Sequence, residues 1–258
     1  MKVQQFLDWI EQIAPFDTAE GFDNVGLLMG DPDAEVHQVV FGMDVTEVLA
    51  QEAIERGAEL IVSHHPFIFH ALKRIDYTGP QGRALCLLAQ HGINVIAAHT
   101  NWDQAEGGVC DSLAHALSLS DVSRADPYVR LGTLPRPMTA DELDAHIRTA
   151  LRVQPRCYPA ANGQITRVAV SGGAYGEGYA MALQAGAQAY VVGEIAHHEI
   201  LDATQRGLTI FDAGHYPTEL PGVESLYTRF LAEASQSHWD VQAHLHSLAP
   251  YAGALLAL

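Results

Sequence analysis

The sequence predicts an α/β fold, in which two similar lobes with mainly parallel or mixed sheets face a shared dinuclear metal site. Short apolar runs alternate with segments of helical periodicity along most of the 258 residues, as in α/β proteins. Several of these runs end directly in histidine and acidic residues. The second half of the chain repeats the order of the first. The whole chain, 1–258, is therefore expected to form a single two-lobed unit.

The first lobe is expected over about residues 1–122 plus the C-terminal strand. Apolar residues recur at helical spacing from Val3 to Ile13, and Pro15 ends this helix. Thr46 is a typical N-cap and Gly57 a typical terminator of another helix. A polar turn at Asp23 leads into a short strand. The alternation then predicts strands at 36–43, 58–62 and 93–98, and helices at 46–56, 82–90 and 108–117.

The second lobe is expected over about residues 123–235. A capping box, Thr139-x-x-Glu142, begins a helix that runs to about Leu151. Pro217 suits the first turn of a later helix, which places Glu219 near its N-terminus. Strands are predicted at 128–134, 165–171, 186–192 and 208–211, with a last strand at 239–245.

The charge and the cysteine content of the chain argue against binding to nucleic acid or anionic membranes and against disulfide bonds. The chain has 14 basic and 31 acidic residues, a net charge of −17, so we expect no direct binding to nucleic acid and no attraction to anionic membranes. The three cysteines, Cys86, Cys110 and Cys157, are far apart and are expected to be reduced thiols. The sequence shows neither a signal peptide nor an apolar run of membrane-spanning length, which favours a cytoplasmic protein.

An apolar run from Ala58 to Val62 leads to the adjacent histidines His64 and His65, and Pro66 follows them. Ligands of parallel sheets bind beyond the carboxyl ends of strands, so this end is a candidate metal site. Neighbouring side chains of an extended segment point to opposite sides. The pair is therefore expected to serve two ions rather than one.

Two further strand ends carry an imidazole and a carboxylate four residues apart, His99 with Asp103 and His215 with Glu219. Mixed nitrogen and oxygen ligands suit zinc, iron, manganese or nickel better than calcium or magnesium. A carboxylate such as that of Glu219 can bridge two ions. The alternative is a set of polar loop residues that never meet.

A glycine-rich turn, Gly172 to Gly178, lies between a predicted strand and helix. Backbone N–H groups of such a turn can hold a phosphate, and a tight turn without a ligand is equally consistent with the sequence.

Five segments resemble the GTP cyclohydrolase I type 2-like family, also called Ngg-one-interacting-factor-three-like proteins. They are Gly21–Gly30, Ser63–Ile75, Ala97–Gly108, Gly193–Ala203 and Asp212–Glu219. The resemblance implies two divalent ions per chain, bridged by Glu219. The ligands that it implies are His64, His65, Asp103, His215 and Glu219. It also places His99 and His197 near the ions, as candidates for supporting the ligands or transferring protons.

The resemblance further implies a toroidal homohexamer whose metal sites face the cavity. Longer members carry an extra domain between the lobes, and we expect none here. The implied activity is a metal-dependent hydrolase of a small molecule, GTP or a related purine nucleotide. Two alternatives stay open: a hydrolase of phosphoesters or damaged nucleotides, and a non-catalytic metal-binding or regulatory protein.

Overall fold

The computed structural model describes residues 1–160 and 163–246, which form two compact units. The first contains the residues up to Glu106 and those from Val223 onward, and the second contains Gly107–Gly222. Each unit has one sheet with both parallel and antiparallel strands. The predicted α/β class is confirmed.

The sheet of the first unit has the strand order β1-β4-β3-β2-β11, in which only β1 runs antiparallel to its neighbour. Parallel strands end at the same edge, so the residues after β3 and β4 emerge side by side. The strands are β1 Gly26–Met29, β2 Gln38–Gly42, β3 Leu60–Ser63, β4 Asn94–Ala97 and β11 Gln242–Leu245.

Helices cover this sheet because each has one apolar face. Helix α2 begins after Thr46, whose side chain accepts a hydrogen bond from the Leu49 N–H, and it ends at Gly57 with φ of 65°. The aromatic rings of Phe6, Phe41 and Phe230 pack with centroids 5.3–6.1 Å apart. The helices are α1 Val3–Ile13, α2 Glu47–Arg56, α3 Pro80–Gln90, α4 Thr100–Gln104 and the part of α9 from Val223.

The sheet of the second unit has the order β5-β6-β8-β9-β10-β7, and β8, β9 and β10 are parallel. Buried apolar clusters lie on both its faces. The strands are β5 Ser120–Arg124, β6 Arg130–Met138, β7 Arg156–Tyr158, β8 Ile165–Ser171, β9 Ala189–Val192 and β10 Thr209–Asp212. The helices are α5 Val109–Ala116, α6 Ala140–Leu151, α7 Tyr179–Gln184, α8 His197–Gln205 and the first turns of α9 His215–Gln236.

Three short elements, α4, β5 and β7, were not predicted. Every residue of β5 is exposed, so no alternation of buried and exposed residues marks it. Strand β7 has three residues and α4 has five, which is too few for a periodicity to show. Helix α9 is continuous through Pro221.

All three cysteines are free thiols, as expected. Within residues 1–160 and 163–246, no helix combines the length and the hydropathy needed to cross a bilayer.

Candidate metal centre

Strand β3 ends at Ser63 and delivers His64 into a buried position, where the residue is 2% exposed. Its ring Nδ1 lies 2.9 Å from the carbonyl oxygen of Ala98, just beyond β4. Because a carbonyl can only accept a hydrogen bond, the Nδ1 of His64 carries the proton and donates. In the neutral ring, Nε2 then carries the lone pair and is the atom that can bind a metal.

His65 is oriented in the same way, but by a carboxylate. Its Nδ1 lies 2.7 Å from Oδ1 of Asp44, a residue close to the carboxyl end of β2. The Asp44 carboxylate fixes the ring and directs Nε2 away from itself. Such carboxylate–histidine pairs usually orient metal-binding imidazoles.

His99 immediately precedes α4, and its Nδ1 lies 2.8 Å from Oδ1 of Asp23. The second oxygen of Asp23 accepts hydrogen bonds from the backbone N–H and the hydroxyl of Thr100. Burial of the Asp23 carboxylate opposes its charge, but the hydrogen bonds from His99 and Thr100 outweigh burial and lower its pKa to about 2. The carboxylate is therefore charged at neutral pH and is held firmly by its donors.

Asp103 lies one helical turn after His99, which places both side chains on the same face of α4. Its Oδ1 is 3.4 Å from Nε2 of His64. That oxygen is buried and accepts no hydrogen bond from the described residues. A buried carboxylate oxygen facing the lone pair of an imidazole is unfavourable without a cation, so this pair fits a divalent ion.

The imidazoles of His64, His65 and His99 each offer a ligand atom, and these atoms lie within 4.8 Å of one another. Strand β3 ends before His64 and His65, and the centroids of their rings are 5.1 Å apart. Their Nδ1 atoms have different partners, Ala98 beyond β4 for His64 and Asp44 beyond β2 for His65. Distances of this size fit one ion or two ions about 3.5–4 Å apart, so the number of ions stays a prediction.

The second unit has a corresponding pair at the start of α9. His215 is the first residue of this helix and Glu219 lies one turn later. Nδ1 of His215 is 2.8 Å from Oε1 of Glu194, and its Nε2 is 3.1 Å from Oε1 of Glu219. The Glu219 side chain is buried, and a bound cation would offset the cost of burying its charge.

The glycine-rich turn packs against this carboxylate. Gly173 has φ of 62°, and a Cβ at this position would lie 2.2 Å from Oε1 of Glu219. Its N–H donates to the Thr218 hydroxyl and its carbonyl accepts from the Glu194 N–H. The backbone groups of Gly173 are thus engaged within the protein, which favours the interpretation as a tight turn.

The structure also places residues that the sequence did not single out. Asp44 and Glu194 each orient an imidazole, and Asp23, which the sequence places in a polar turn, orients a third. Asp44 and Glu194 follow β2 and β9 within two residues, so the strand-end rule applied to every strand would have found them. His197 is exposed at the first residue of α8, and its role stays a prediction.

All four imidazoles share one arrangement. Each places Nδ1 at hydrogen-bonding distance from a protein oxygen, so that Nε2 is the ring atom available to bind a metal or to exchange a proton. In ordinary polar loops, either nitrogen makes such bonds. The consistent use of Nδ1, together with the buried oxygen of Asp103, shows that these residues are suited to holding divalent metal.

Comparison with known proteins identifies the family. The model of the family described as Duf34/NIF3 (NGG1p interacting factor 3) matches residues 1–250. A Clostridium perfringens protein named GTP cyclohydrolase 1 type 2 homolog is 34% identical over 230 residues, which cover 86% of this chain and 88% of that protein. The chain therefore belongs to the Duf34/NIF3 family, and the resemblance seen in the sequence is confirmed.

Solved structures support the same assignment. Staphylococcus aureus protein SA1388 superposes with a TM-score of 0.90 at 29% identity, over 96% of this chain and 97% of that one. A Bacillus cereus protein related to NIF3 superposes with a TM-score of 0.92 at 22% identity, again over 96% and 97% of the chains. The second similarity shows a shared fold.

Proposed function

We propose that this protein is a hydrolase that depends on two divalent metal ions and acts on GTP or a related purine nucleotide. The proposed ligands are His64, His65, Asp103, His215 and Glu219, with Glu219 as the bridging carboxylate. The observation that carries the proposal is the buried Oδ1 of Asp103, which lies 3.4 Å from the Nε2 of His64.

The chemistry of the donors supports a metal such as zinc, iron, manganese or nickel. Imidazole nitrogens and carboxylate oxygens are ligands that these ions accept together. Divalent ions in such a site supply a nucleophile from water near neutral pH and stabilise developing negative charge.

The surrounding residues hold the ligands in place. Asp44 orients His65 and Glu194 orients His215, while the Ala98 carbonyl orients His64. Such partners keep the ring nitrogens aimed and raise their basicity. His99 is proposed as a group that accepts or donates a proton beside the ligands, because Asp23 holds its Nδ1 and its Nε2 remains for exchange.

The choice of a purine nucleotide rests on the name of the Clostridium perfringens relative. Opening the imidazole ring of guanine begins with attack by water on a ring carbon, a step suited to an activated water molecule. Two-metal sites also serve phosphoester displacement, so phosphoesters and damaged nucleotides are the competing substrates. A toroidal homohexamer is proposed as the assembly, and sedimentation velocity of the purified protein tests it.

Metal content is the first test. The protein is purified without chelator and without a histidine tag, and its metals are measured by elemental analysis. We expect about two divalent ions per chain and a clear loss in an Asp103→Asn variant. An Asp240→Asn variant, which changes an acidic residue outside the clusters, is the control. Absence of metal after incubation with zinc, manganese and iron would overturn the proposal.

Turnover is the second test. Metal-loaded protein is incubated with GTP, with a panel of phosphoesters and with oxidised nucleotides, and products are separated by chromatography. Ring-opened product from GTP, absent with Glu219→Gln, supports the purine hydrolase. Turnover of phosphoesters alone supports the competing reaction. No turnover of any compound by fully loaded protein would indicate a metal-binding or regulatory role.

A further inference from the structure

Two exposed aromatic side chains lie beside the histidine cluster of the first unit. Phe22 is 67% exposed and Phe69 is 36% exposed. Their rings contact edge to face, with centroids 6.4 Å apart. The Phe69 ring also lies 6.3 Å from the ring of His99. A continuous row of rings therefore leads from the surface to the imidazoles of the cluster.

Polar bonds fix the two loops that carry these rings. The Asn24 side-chain amide donates to the carbonyl oxygen of Ile68 at 2.5 Å, which ties the loop of Phe22 to the loop of Phe69. Asp23, the neighbour of Phe22, binds the ring of His99. Because both tethers are hydrogen bonds next to the phenylalanines, the rings are held in place relative to His99.

The chemistry of the two rings favours a particular occupant. The carboxylates of Asp23, Asp44 and Asp103 lie against the three imidazoles, whereas the phenyl rings of Phe22 and Phe69 carry no charge and have no hydrogen-bonding groups. Two exposed phenyl rings offer an apolar surface that accepts the face or edge of a flat, uncharged ring. A nucleobase combines flatness, low charge and polar edges that can reach an imidazole.

We propose that Phe22 and Phe69 form a stacking platform for the planar heteroaromatic ring of the substrate. This inference rests on the proposed function, because it places the nucleobase beside His99 and the prospective ligands. The platform holds the ring through its faces and leaves its edge toward the imidazoles. A contribution per stacked base of the size seen in single-strand binding proteins gives about a tenfold change in affinity for each phenylalanine.

The test measures binding of guanosine, adenosine and cytidine by calorimetry with zinc-loaded protein. These probes carry the base without phosphates, and inorganic triphosphate is the probe without a base. Phe22→Ala and Phe69→Ala are each expected to weaken nucleoside binding about tenfold, whereas Phe69→Tyr retains it. Tyr77→Ala removes another exposed aromatic side chain of the same unit, 69% exposed, and is the matched control.

Several outcomes would overturn the platform. These are unchanged affinity in both alanine variants, equal weakening in Tyr77→Ala, or no nucleoside binding by the wild-type protein. If either alanine variant sediments as a smaller species than the wild-type protein, a second copy of the chain covers the rings in the wild-type assembly.

Metal content separates this inference from the proposed function. If nucleoside binding depends on Phe69 while the protein binds no metal, the platform stands and the metal-dependent hydrolase fails. If metal content and turnover are as proposed and the phenylalanines have no effect, only the platform fails.

Discussion

Each unit places a histidine and an acid one helical turn apart, but the two pairs are supported differently. In the first unit, His99 and Asp103 lie at the start of α4, and in the second, His215 and Glu219 lie at the start of α9. The histidine of each pair donates to a further carboxylate. In the first unit that carboxylate is buried, and in the second it belongs to Glu194, whose side chain is 61% exposed.

The two units differ in the carboxylates that hold the histidines, Asp23 and Glu194, and not in the spacing of the histidine and the acid. Asp23 binds His99 and two groups of Thr100, and these bonds lower its pKa to about 2. Buried, charge-assisted hydrogen bonds of this kind are stronger than exposed ones. Two sites with the same ligand spacing can thus differ in rigidity, because rigidity comes from residues outside the motif.

The largest expected effect follows removal of a prospective ligand from either unit. We expect His64→Ala and Glu219→Gln each to weaken metal binding more than about 100-fold, since ligand loss exceeds the effect of a supporting residue. Competition with a chromophoric chelator measures this affinity. His91→Ala, an exposed histidine outside both clusters, is the control. Full metal binding by the Glu219 variant would contradict the assignment of Glu219 as a ligand.

A smaller effect is expected from the supporting carboxylates, and here the two units should differ. Asp23→Asn should lower the free energy of unfolding by about 1–2 kcal/mol, because the amide cannot accept all three hydrogen bonds and solvent screening moderates the loss. Glu194→Gln should cost less than about 0.5 kcal/mol, as for other exposed pairs. Urea unfolding of the metal-free proteins measures both, and equal costs would contradict the comparison.

Gly173, beside Glu219, can be compared with Gly57, because both glycines have a positive φ. Gly173→Ala should cost about 1–2 kcal/mol in unfolding free energy from its positive φ, and it should also weaken metal binding by displacing the Glu219 carboxylate. Gly57→Ala has nearly the same φ, 65°, and open space around its Cβ. Gly57→Ala should therefore lower the free energy of unfolding without changing metal affinity. Equal metal affinity in the two variants would show that Gly173 does not position the Glu219 carboxylate.

The stability of the protein should also depend on pH in the acid range. The folded-state pKa of Asp23 lies below the usual 3.8, so its contribution is present above pH 4 and is lost as pH falls toward 2. Unfolding of the metal-free wild type should therefore become easier by about 1 kcal/mol over this range, relative to Asp23→Asn. If the free energy of unfolding falls equally with pH in the two proteins, Asp23 does not titrate as its hydrogen bonds indicate.

Much of the fold was accessible from the sequence because buried strands and capped helices carry local signals. Thr46, Gly57 and the capping box at Thr139 mark helix ends that the structure confirms. Strand β5 and helix α4 carried no such signal, since exposure in one case and brevity in the other erase periodicity. Local pattern therefore predicts elements that are long enough and have a buried face, and it misses elements that are exposed or very short.

The sequence predicted the histidines and acids that follow the strand ends. It did not predict which carboxylates orient those histidines. The hydrogen bond from His99 to Asp23 joins residues 76 positions apart, and that from His215 to Glu194 joins residues 21 apart. Such pairings depend on how strands are ordered in the sheet, which one sequence does not reveal. The end of β3 just before His64 and His65 was itself predicted, because the apolar run stops there.

The bond from His64 to the Ala98 carbonyl has a consequence for protein engineering. The partners of His65, His99 and His215 are side chains, so substitution can tune or remove each of them. The partner of His64 belongs to the main chain, and no substitution at residue 98 deletes a carbonyl. Variant libraries that seek altered ion preference should therefore diversify Asp44, Asp23 and Glu194. In each of these variants the Ala98 carbonyl still holds the Nδ1 proton of His64, so the tautomer of this residue stays the same.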